Sequence, residues 1–124
     1  MCDIKLQITL KLPYPPSVNA LYGSHGNRRF IRPRGRIFKE EVANICKGLP
    51  SFGAEMIELI IILFPRDKRL MDISNSIKGL EDALQDAGMF DNDQQVCKIT
   101  IERGEKIKNG GCQVTIKRYN HPIP

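Results

Sequence analysis

The sequence has no tryptophan, few aromatic residues and no apolar run long enough to cross a bilayer. Aromatic residues make up 6% of the 124 positions and hydrophobic residues 41%, so the core must be built mainly from Ile, Leu and Val. That hydrophobic share is ordinary for a globular domain and argues against disorder. The longest apolar run, Leu59 to Phe64, is too short for a transmembrane helix, and the N-terminus lacks the apolar segment of a signal peptide. We therefore expect a cytoplasmic protein with no membrane contact.

Cysteine and histidine are too scattered to indicate a zinc site. The four cysteines, Cys2, Cys46, Cys97 and Cys112, include no C-x-x-C pair, and the two histidines lie near opposite ends of the chain. Neither a zinc site nor a disulfide framework is indicated, although four cysteines are in principle enough to pair.

Charge is distributed unevenly along the chain. The formal net charge is +5, yet the segment from Asp67 to Asp93 holds seven acids and three bases, and the remainder carries +9. A uniformly basic domain would indicate a phosphate-binding module, because Lys and Arg displace condensed counterions from nucleic acid. Acids among those bases repel phosphate unless a cation lies between them. The pattern favours a metal-dependent enzyme acting on nucleic acid, and an acidic helix surface is the alternative.

Hydrophobic periodicity predicts four strands. Apolar and polar residues alternate from Ile4 to Leu12, as in a half-buried strand, and Met56 to Phe64 is almost continuously apolar, as in a central strand. Two further strands are predicted from about Gln95 to Glu102 and from Cys112 to Lys117, with a Lys-rich and Gly-rich turn between them.

Two helices are predicted between these strands. The first runs from about Ile37 to Lys47, and the second from about Ser74 to Ala87, with Gly88 placed to end it. Their apolar stripes are expected at Phe38, Val42 and Ile45, and at Ile77, Leu80 and Leu84. The order β-α-β-α-β-β predicts a single α+β domain, in which one mixed sheet is packed by two helices.

A dense run of basic residues precedes the first helix and is predicted to be a loop. Five arginines lie within nine positions, with Phe30 and Phe38 interleaved. These aromatic rings either stack on an exposed base or pack inward, and the alternative for the arginines is a solvated loop. We favour contact with DNA phosphates, without base readout, by Arg28, Arg29, Arg32, Arg34, Arg36 and Lys39.

Acidic residues flank both ends of the second helix. Phosphodiester hydrolysis needs an activated water and neutralised phosphate charge, and carboxylates holding Mg²⁺ supply both, so Asp72 and Asp93 are candidate ligands. Lys78 is placed to stabilise transition-state charge, and its alternative is a surface pair with Asp82 at i+4. The alternatives for the acids are a helix cap at Asp72 and a solvated turn at Asp91 to Asp93.

Helix length sets a condition on this site. A helix of about 14 residues is roughly 20 Å long, so Asp72 and Asp93 start at opposite ends. Residues Gly88 to Asp93 must fold back along the helix, or the site must be shared across a dimer.

Two stretches of the sequence resemble RusA-type Holliday junction resolvases. Leu12-Pro-Tyr-Pro-Pro-Ser-Val-Asn19 is similar to the opening of those proteins, where a strand ends in Pro-Pro-Ser followed by Asn. The second stretch is similar to their signature of Asp-x-Asp-Asn, Lys, Asp-Ala-Leu, Ala-Gly and a final acidic pair before Gln-Val. The matching residues are Asp72, Asn75, Lys78, Asp82-Ala83-Leu84, Ala87-Gly88, Asp93 and Gln95-Val96.

The resemblance covers nearly the whole chain and implies one RusA-like endonuclease domain over residues 1–124. It implies a homodimer that resolves four-way DNA junctions by paired symmetric nicks, in recombination or repair, with a prophage as a candidate source. Carboxylates would bind Mg²⁺ and a lysine would assist, which gives the catalytic roles to Asp72, Lys78 and Asp93.

One position departs from the signature. Ser74 stands where the second Asp is expected, and a neutral hydroxyl binds Mg²⁺ more weakly or only caps the helix. Asp91, outside the signature, is a candidate replacement ligand. The competing interpretation is a catalytically silent protein that binds branched DNA or RNA and has lost its metal site at Ser74. A ribosome-associated structural protein would account for the basic charge but not for the acids.

Overall fold

A computed structural model describes residues 7–17, 22–26, 28–69 and 72–120, and only the backbone of 22–25 and 28–30. The main sheet contains β1 (Gln7–Leu12), β4 (Ile57–Phe64), β5 (Val96–Arg103) and β6 (Gly111–Arg118), and a separate hairpin contains β2 (Tyr22–His25) and β3 (Arg28–Ile31). The helices are α1 (Pro33–Cys46) and α2 (Ile77–Asp86), and single 3₁₀ turns span Ile73–Ser76 and Asp93–Gln95.

The main sheet is mixed and has the strand order β1-β6-β4-β5. β6 pairs antiparallel with both β1 and β4, whereas β4 and β5 run parallel because α2 connects them as a crossover. The predicted single α+β domain, with one mixed sheet, two helices and the order β-α-β-α-β-β of its main elements, is confirmed.

One face of the sheet forms the core. The register places Val114 of β6 between Leu10 of β1 and Ile61 of β4, and these side chains point to the same face. The helices cover that face, where Val42 of α1 and Leu84 of α2 are fully buried. Each such side chain stabilises the fold by roughly 1.5–3 kcal/mol relative to exposure. Among the described residues, no helix covers the opposite face, called the open face below, which carries the ion-paired side chains of Glu58 and Lys98.

The basic segment is more regular than predicted. The expected loop is wrong for residues 28–31, which form β3, and α1 begins at Pro33 rather than at Ile37. Proline lacks an N–H and has a fixed φ, which suits it to the first helical position instead of breaking the helix.

The buried stripe of α1 also differs from the prediction at one position. Phe38 and Val42 are buried as expected, but the next buried residue is Cys46, and Ile45 is 40% exposed. Spacings of four residues, from Phe38 to Val42 to Cys46, keep the stripe on one face, and Ile45 lies about 100° away from Cys46 around the axis.

The end of α2 follows the predicted signal. Gly88 adopts φ 82°, and the N–H of the next residue, Met89, donates to the carbonyl of Leu84 at 3.0 Å. This left-handed residue ends the helix and reverses the chain. Leu80 and Leu84 are fully buried as predicted, whereas Ile77 is only half-buried.

Within the described part of the chain, neither helix has the length and apolar character needed to span a membrane. Cys46, Cys97 and Cys112 are free thiols, and Cys2 lies outside the described residues.

Candidate active site around Lys78

Asp72 begins the acidic site as the cap of a 3₁₀ turn. Its Oδ1 accepts hydrogen bonds from the backbone N–H of Ser74 at 3.1 Å and from the Ser74 hydroxyl at 2.7 Å. The Ser74 hydroxyl, then its N–H, then the Arg103 charge lower the pKa of Asp72. Asp72 is therefore an exposed, ionised carboxylate at neutral pH, and Ser74 is a donor to it rather than the cap itself.

The segment after α2 turns back toward the start of that helix. Met89 and Phe90 are about 1% exposed, so they anchor the segment in the core before the chain returns to the surface at Asp91. The backbone is also held from the side, since Phe52 N donates to Met89 O at 2.9 Å and Asp91 N donates to Gly53 O at 3.0 Å. The path of this segment is thus set by its buried side chains and by backbone hydrogen bonds to Phe52 and Gly53.

Gln95 holds this segment through a buried amide. Its Oε1 accepts from the backbone N–H of Asp91 at 3.0 Å and of Asn92 at 2.8 Å, while Nε2 donates to the carbonyls of Gly53 at 2.8 Å and Glu55 at 2.6 Å. The side chain of Asn92 in turn accepts from Gln94 N, so the 3₁₀ turn carrying Asp93 has a capping box. All polar atoms of the Gln95 side chain are therefore bonded, although the residue is 6% exposed.

Lys78 contacts two acids, one on its own helix and one on the segment that follows it. Its Nζ is 3.1 Å from Asp82 Oδ1 and 3.3 Å from Asp93 Oδ2. The contact with Asp82, then the contact with Asp93, raises the pKa of Lys78 above its ordinary value. The predicted surface pair with Asp82 is present, and the Asp93 contact exists beside it.

The fold-back condition is met for Asp93. Lys78 belongs to the first turn of α2, so its contact with Asp93 shows that the returning segment reaches the start of the helix within one subunit. Asp72 lies at the same end, on the turn that precedes α2. Among the described residues, however, no three His, Cys, Asp or Glu side chains are grouped as a metal site.

Two further acids belong to this cluster. Asp82 contacts Lys78, and Glu81 is half-buried beside it; burial first, then the charge of Asp93, raises the pKa of Glu81. The i,i+3 spacing from Lys78 to Glu81 is a sequence signal that a helix brings these residues together. With Asp82 assigned only as a surface partner, the sequence reasoning missed the role of both acids in the electrostatics of the site.

The predicted DNA-binding residues are divided among three elements. Arg28 and Arg29 belong to β3 and their side chains lie outside the described residues, Arg32 precedes α1, and Arg34 and Arg36 are exposed in its first turn. Arg32, Arg34 and Arg36 are thus exposed cations around the start of α1.

Two side chains of the basic segment are held by the fold. Lys39 is 18% exposed, and its Nζ lies 2.7 Å from Asp86 Oδ2, which links α1 to α2. Phe38 is 3% exposed, so it packs inward and does not stack on a base.

Comparison with known proteins identifies the family of this chain. The profile of the family described as endodeoxyribonuclease RusA matches residues 13–117, and the chain belongs to this family. Its relatives include crossover junction endodeoxyribonucleases of Enterobacteria phages HK97 and 82 and of Escherichia coli K12. The HK97 protein is 32% identical over 107 residues, which cover 85% of this chain and 89% of that protein. The phage 82 protein is 32% identical over 109 residues (86% and 91%), and the Escherichia coli protein is 30% identical over 110 residues (87% and 92%).

Proposed function

We propose that residues 1–124 form one Mg²⁺-dependent endodeoxyribonuclease domain that resolves four-way DNA junctions as a homodimer, by paired symmetric nicks. The observation that carries this proposal is the 3.3 Å contact between Lys78 and Asp93, because it joins two signature residues from opposite ends of α2. Family membership supports the nuclease chemistry, and the phage relatives support a prophage source. Such an enzyme would act on DNA in the cytoplasm during recombination or repair.

The donor chemistry of the site fits Mg²⁺. This ion prefers oxygen ligands, and one or two carboxylates together with substrate phosphates are enough to hold it. Asp72 and Asp93 would provide those carboxylates, with the exposed Asp91 as a third oxygen donor. A bound Mg²⁺ would supply neutralisation of the phosphate and a water of lowered pKa.

The remaining catalytic roles would belong to side chains of the protein. Asp72 is poised as an anion because its contacts with Ser74 lower its pKa. Lys78 remains half exposed while its Nζ pairs with acids. Its ammonium group would stabilise the negative charge of the leaving oxygen or of the transition-state phosphate. We propose Asp72, Lys78 and Asp93 as the catalytic set.

DNA would be held by the basic segment that precedes and begins α1. Arg34 and Arg36 are exposed there, and contacts to phosphate need only charge and reach. We assign the contacts with the DNA phosphates to Arg28, Arg29, Arg32, Arg34, Arg36 and Lys39. Lys39 would have to exchange its partner Asp86 for phosphate, so we expect the smallest contribution from it.

A second function is favoured by one specific feature. The second carboxylate of the signature is replaced by Ser74, whose hydroxyl donates to Asp72 instead of adding a negative charge. A protein with too few carboxylates would bind branched DNA or RNA without cleaving it. Binding without a cation and without nicks would distinguish this silent function.

Substitutions that remove charge but keep shape test the catalytic assignment. We expect Asp72→Asn and Asp93→Asn each to bind a labelled four-way junction within about threefold of the unmodified protein and to lose nicking by at least 10²-fold. Asp67→Asn is the matched control, because Asp67 is an acid on the neighbouring loop that pairs with Arg69. Normal nicking by Asp72→Asn would show that the metal assignment is wrong.

A further inference from the structure

β5 lies at one edge of the main sheet. It is the last strand in the order β1-β6-β4-β5, and no strand among the described residues pairs with its outer edge. All of its residues except Val96 and Ile101 are exposed, and Ile99 is 37% exposed. An edge of eight residues with exposed isoleucine is a template for another strand unless the protein blocks it.

The backbone of β5 is regular where such pairing would occur. The register shift against β4 is confined to its start, around Cys97, and pairing from Lys98 to Arg103 has no break. After the strand, Gly104 N donates to Leu63 O at 2.7 Å, so Gly104 directs its N–H toward β4. Because the direction alternates along a strand, Ile99, Ile101 and Arg103 direct their N–H and C=O groups outward.

The side chains of β5 are complementary to a second, antiparallel copy of themselves. When a twofold axis passes through Thr100, Lys98 of one copy lies opposite Glu102 of the other, and this pair occurs twice. In the same register, Ile99 of each copy lies opposite Ile101 of the other. Both residues direct their N–H and C=O groups outward, as a hydrogen-bonded antiparallel pair requires. Opposite charges and apolar residues directly across two strands each stabilise the pairing.

Other registers lack this complementarity. A twofold axis at Lys98 or at Glu102 places like charges opposite each other, and an axis at Ile99 or Ile101 places one of the charged residues opposite Thr100. The other edge strand of the sheet, β1, carries Lys11 but no acid, so it offers no opposite-charge pair with a copy of itself.

We propose that two copies of this chain associate through β5, antiparallel and centred on Thr100, to form one continuous sheet of eight strands. The inference rests on the proposed homodimer and assigns its interface. Lys98, Thr100 and Glu102 lie on the open face of the sheet, beside Glu58, while Ile99 and Ile101 lie on the helix face. The ion pairs between copies therefore form on the open face, and the apolar pairs extend the core.

Disulfide trapping tests the register. Thr100→Cys, in a Cys2→Ser and Cys97→Ser background, places two thiols on the axis, and we expect most of the protein to become a cross-linked dimer under mild oxidation. Thr9→Cys in the same background is the matched control, an exposed threonine on the opposite edge strand, and should remain uncrosslinked. Failure of Thr100→Cys to cross-link, or equal cross-linking by Thr9→Cys, would overturn the interface.

Charge reversal tests the pairs independently. Glu102→Lys places lysine opposite Lys98 twice, and we expect its dimer dissociation constant to rise about tenfold. Lys98→Glu should behave likewise, and it also loses its 3.7 Å contact with Glu58, so its melting temperature is measured as well. Mixing these two variants should restore the pairing, with heterodimers exceeding the statistical share in native mass spectrometry. A statistical mixture would contradict the proposal.

The junction assay separates the two proposals. A dimer that nicks junctions but does not cross-link at Thr100 would refute this interface and leave the proposed function intact. Cross-linking and preferred heterodimers without nicking would support the interface and refute the nuclease.

Discussion

Loss of the buried Gln95 amide should destabilise the segment that carries Asp93, although Gln95 is not itself one of the proposed catalytic residues. Its four hydrogen bonds join the segment that carries Asp93 to the carbonyls of Gly53 and Glu55. Each hydrogen bond contributes about 1 kcal/mol net, so the four bonds lost in Gln95→Ala amount to about 4 kcal/mol. Water will reach part of the opened segment, and we expect a loss of about 2–3 kcal/mol, or about 6–15 °C in melting temperature.

The assay is urea unfolding followed by circular dichroism. Gln94→Ala is the matched control, because Gln94 is the same residue type, one position earlier and exposed, and should change stability by less than about 0.5 kcal/mol. Gln95→Glu retains an acceptor but sets a carboxylate against two carbonyls, so it should destabilise at pH 7 and recover part of the loss at acidic pH, where a proton restores a donor. A Gln95→Ala protein as stable as the Gln94→Ala control would refute the reasoning.

Three further outcomes follow from the structure. Arg34→Ala with Arg36→Ala should weaken junction binding about tenfold or more and reduce its salt dependence by about one phosphate contact for each arginine removed, as measured by binding at several salt concentrations. Glu81→Gln should raise the melting temperature by about 1–3 °C at pH 7 but not at pH 4. Burial, then the Asp93 charge, raises the pKa of Glu81 above its ordinary value of 4.5. Ionisation of Glu81 therefore lowers the free energy of unfolding only as the pH rises above 4.5. Burial raises the pKa of Cys112 from 9.0 to about 12, so the thiol ionises first in the unfolded chain and stability is lost as pH rises from 9 toward 12. Between pH 8 and pH 10, the unmodified protein should lose about 1.4 kcal/mol more of its free energy of unfolding than Cys112→Ala, as measured by urea titration.

The main elements of the fold were accessible from sequence because they follow from periodicity and local chemistry. Alternation marked β1, the continuous apolar run marked β4, and Gly88 marked the end of α2 at a position that needs a positive φ. The hairpin was missed because neither Tyr22–His25 of β2 nor the arginine-containing Arg28–Ile31 of β3 shows the apolar alternation that marks a half-buried strand.

The candidate site was only partly accessible from sequence. Asp72, Lys78 and Asp93 stand out through their chemical types and the family signature, whereas Gln95 has no local pattern that reveals its role. Its partners Gly53 and Glu55 lie about forty positions away along the chain, so the hydrogen bonds exist only after the tertiary structure forms. Glu81 likewise matters through its burial beside Asp93, which depends on the segment folding back.

The most direct test of the proposed activity is incubation of the unmodified protein with a synthetic four-way junction, beside linear duplex of the same sequence. Each substrate is treated with Mg²⁺ and with chelator, and the nicked strands are mapped. We predict paired nicks at symmetric positions in the junction alone, and only with Mg²⁺. Tight junction binding without nicks, in the presence of Mg²⁺, would contradict the assignment of this chain as an active resolvase.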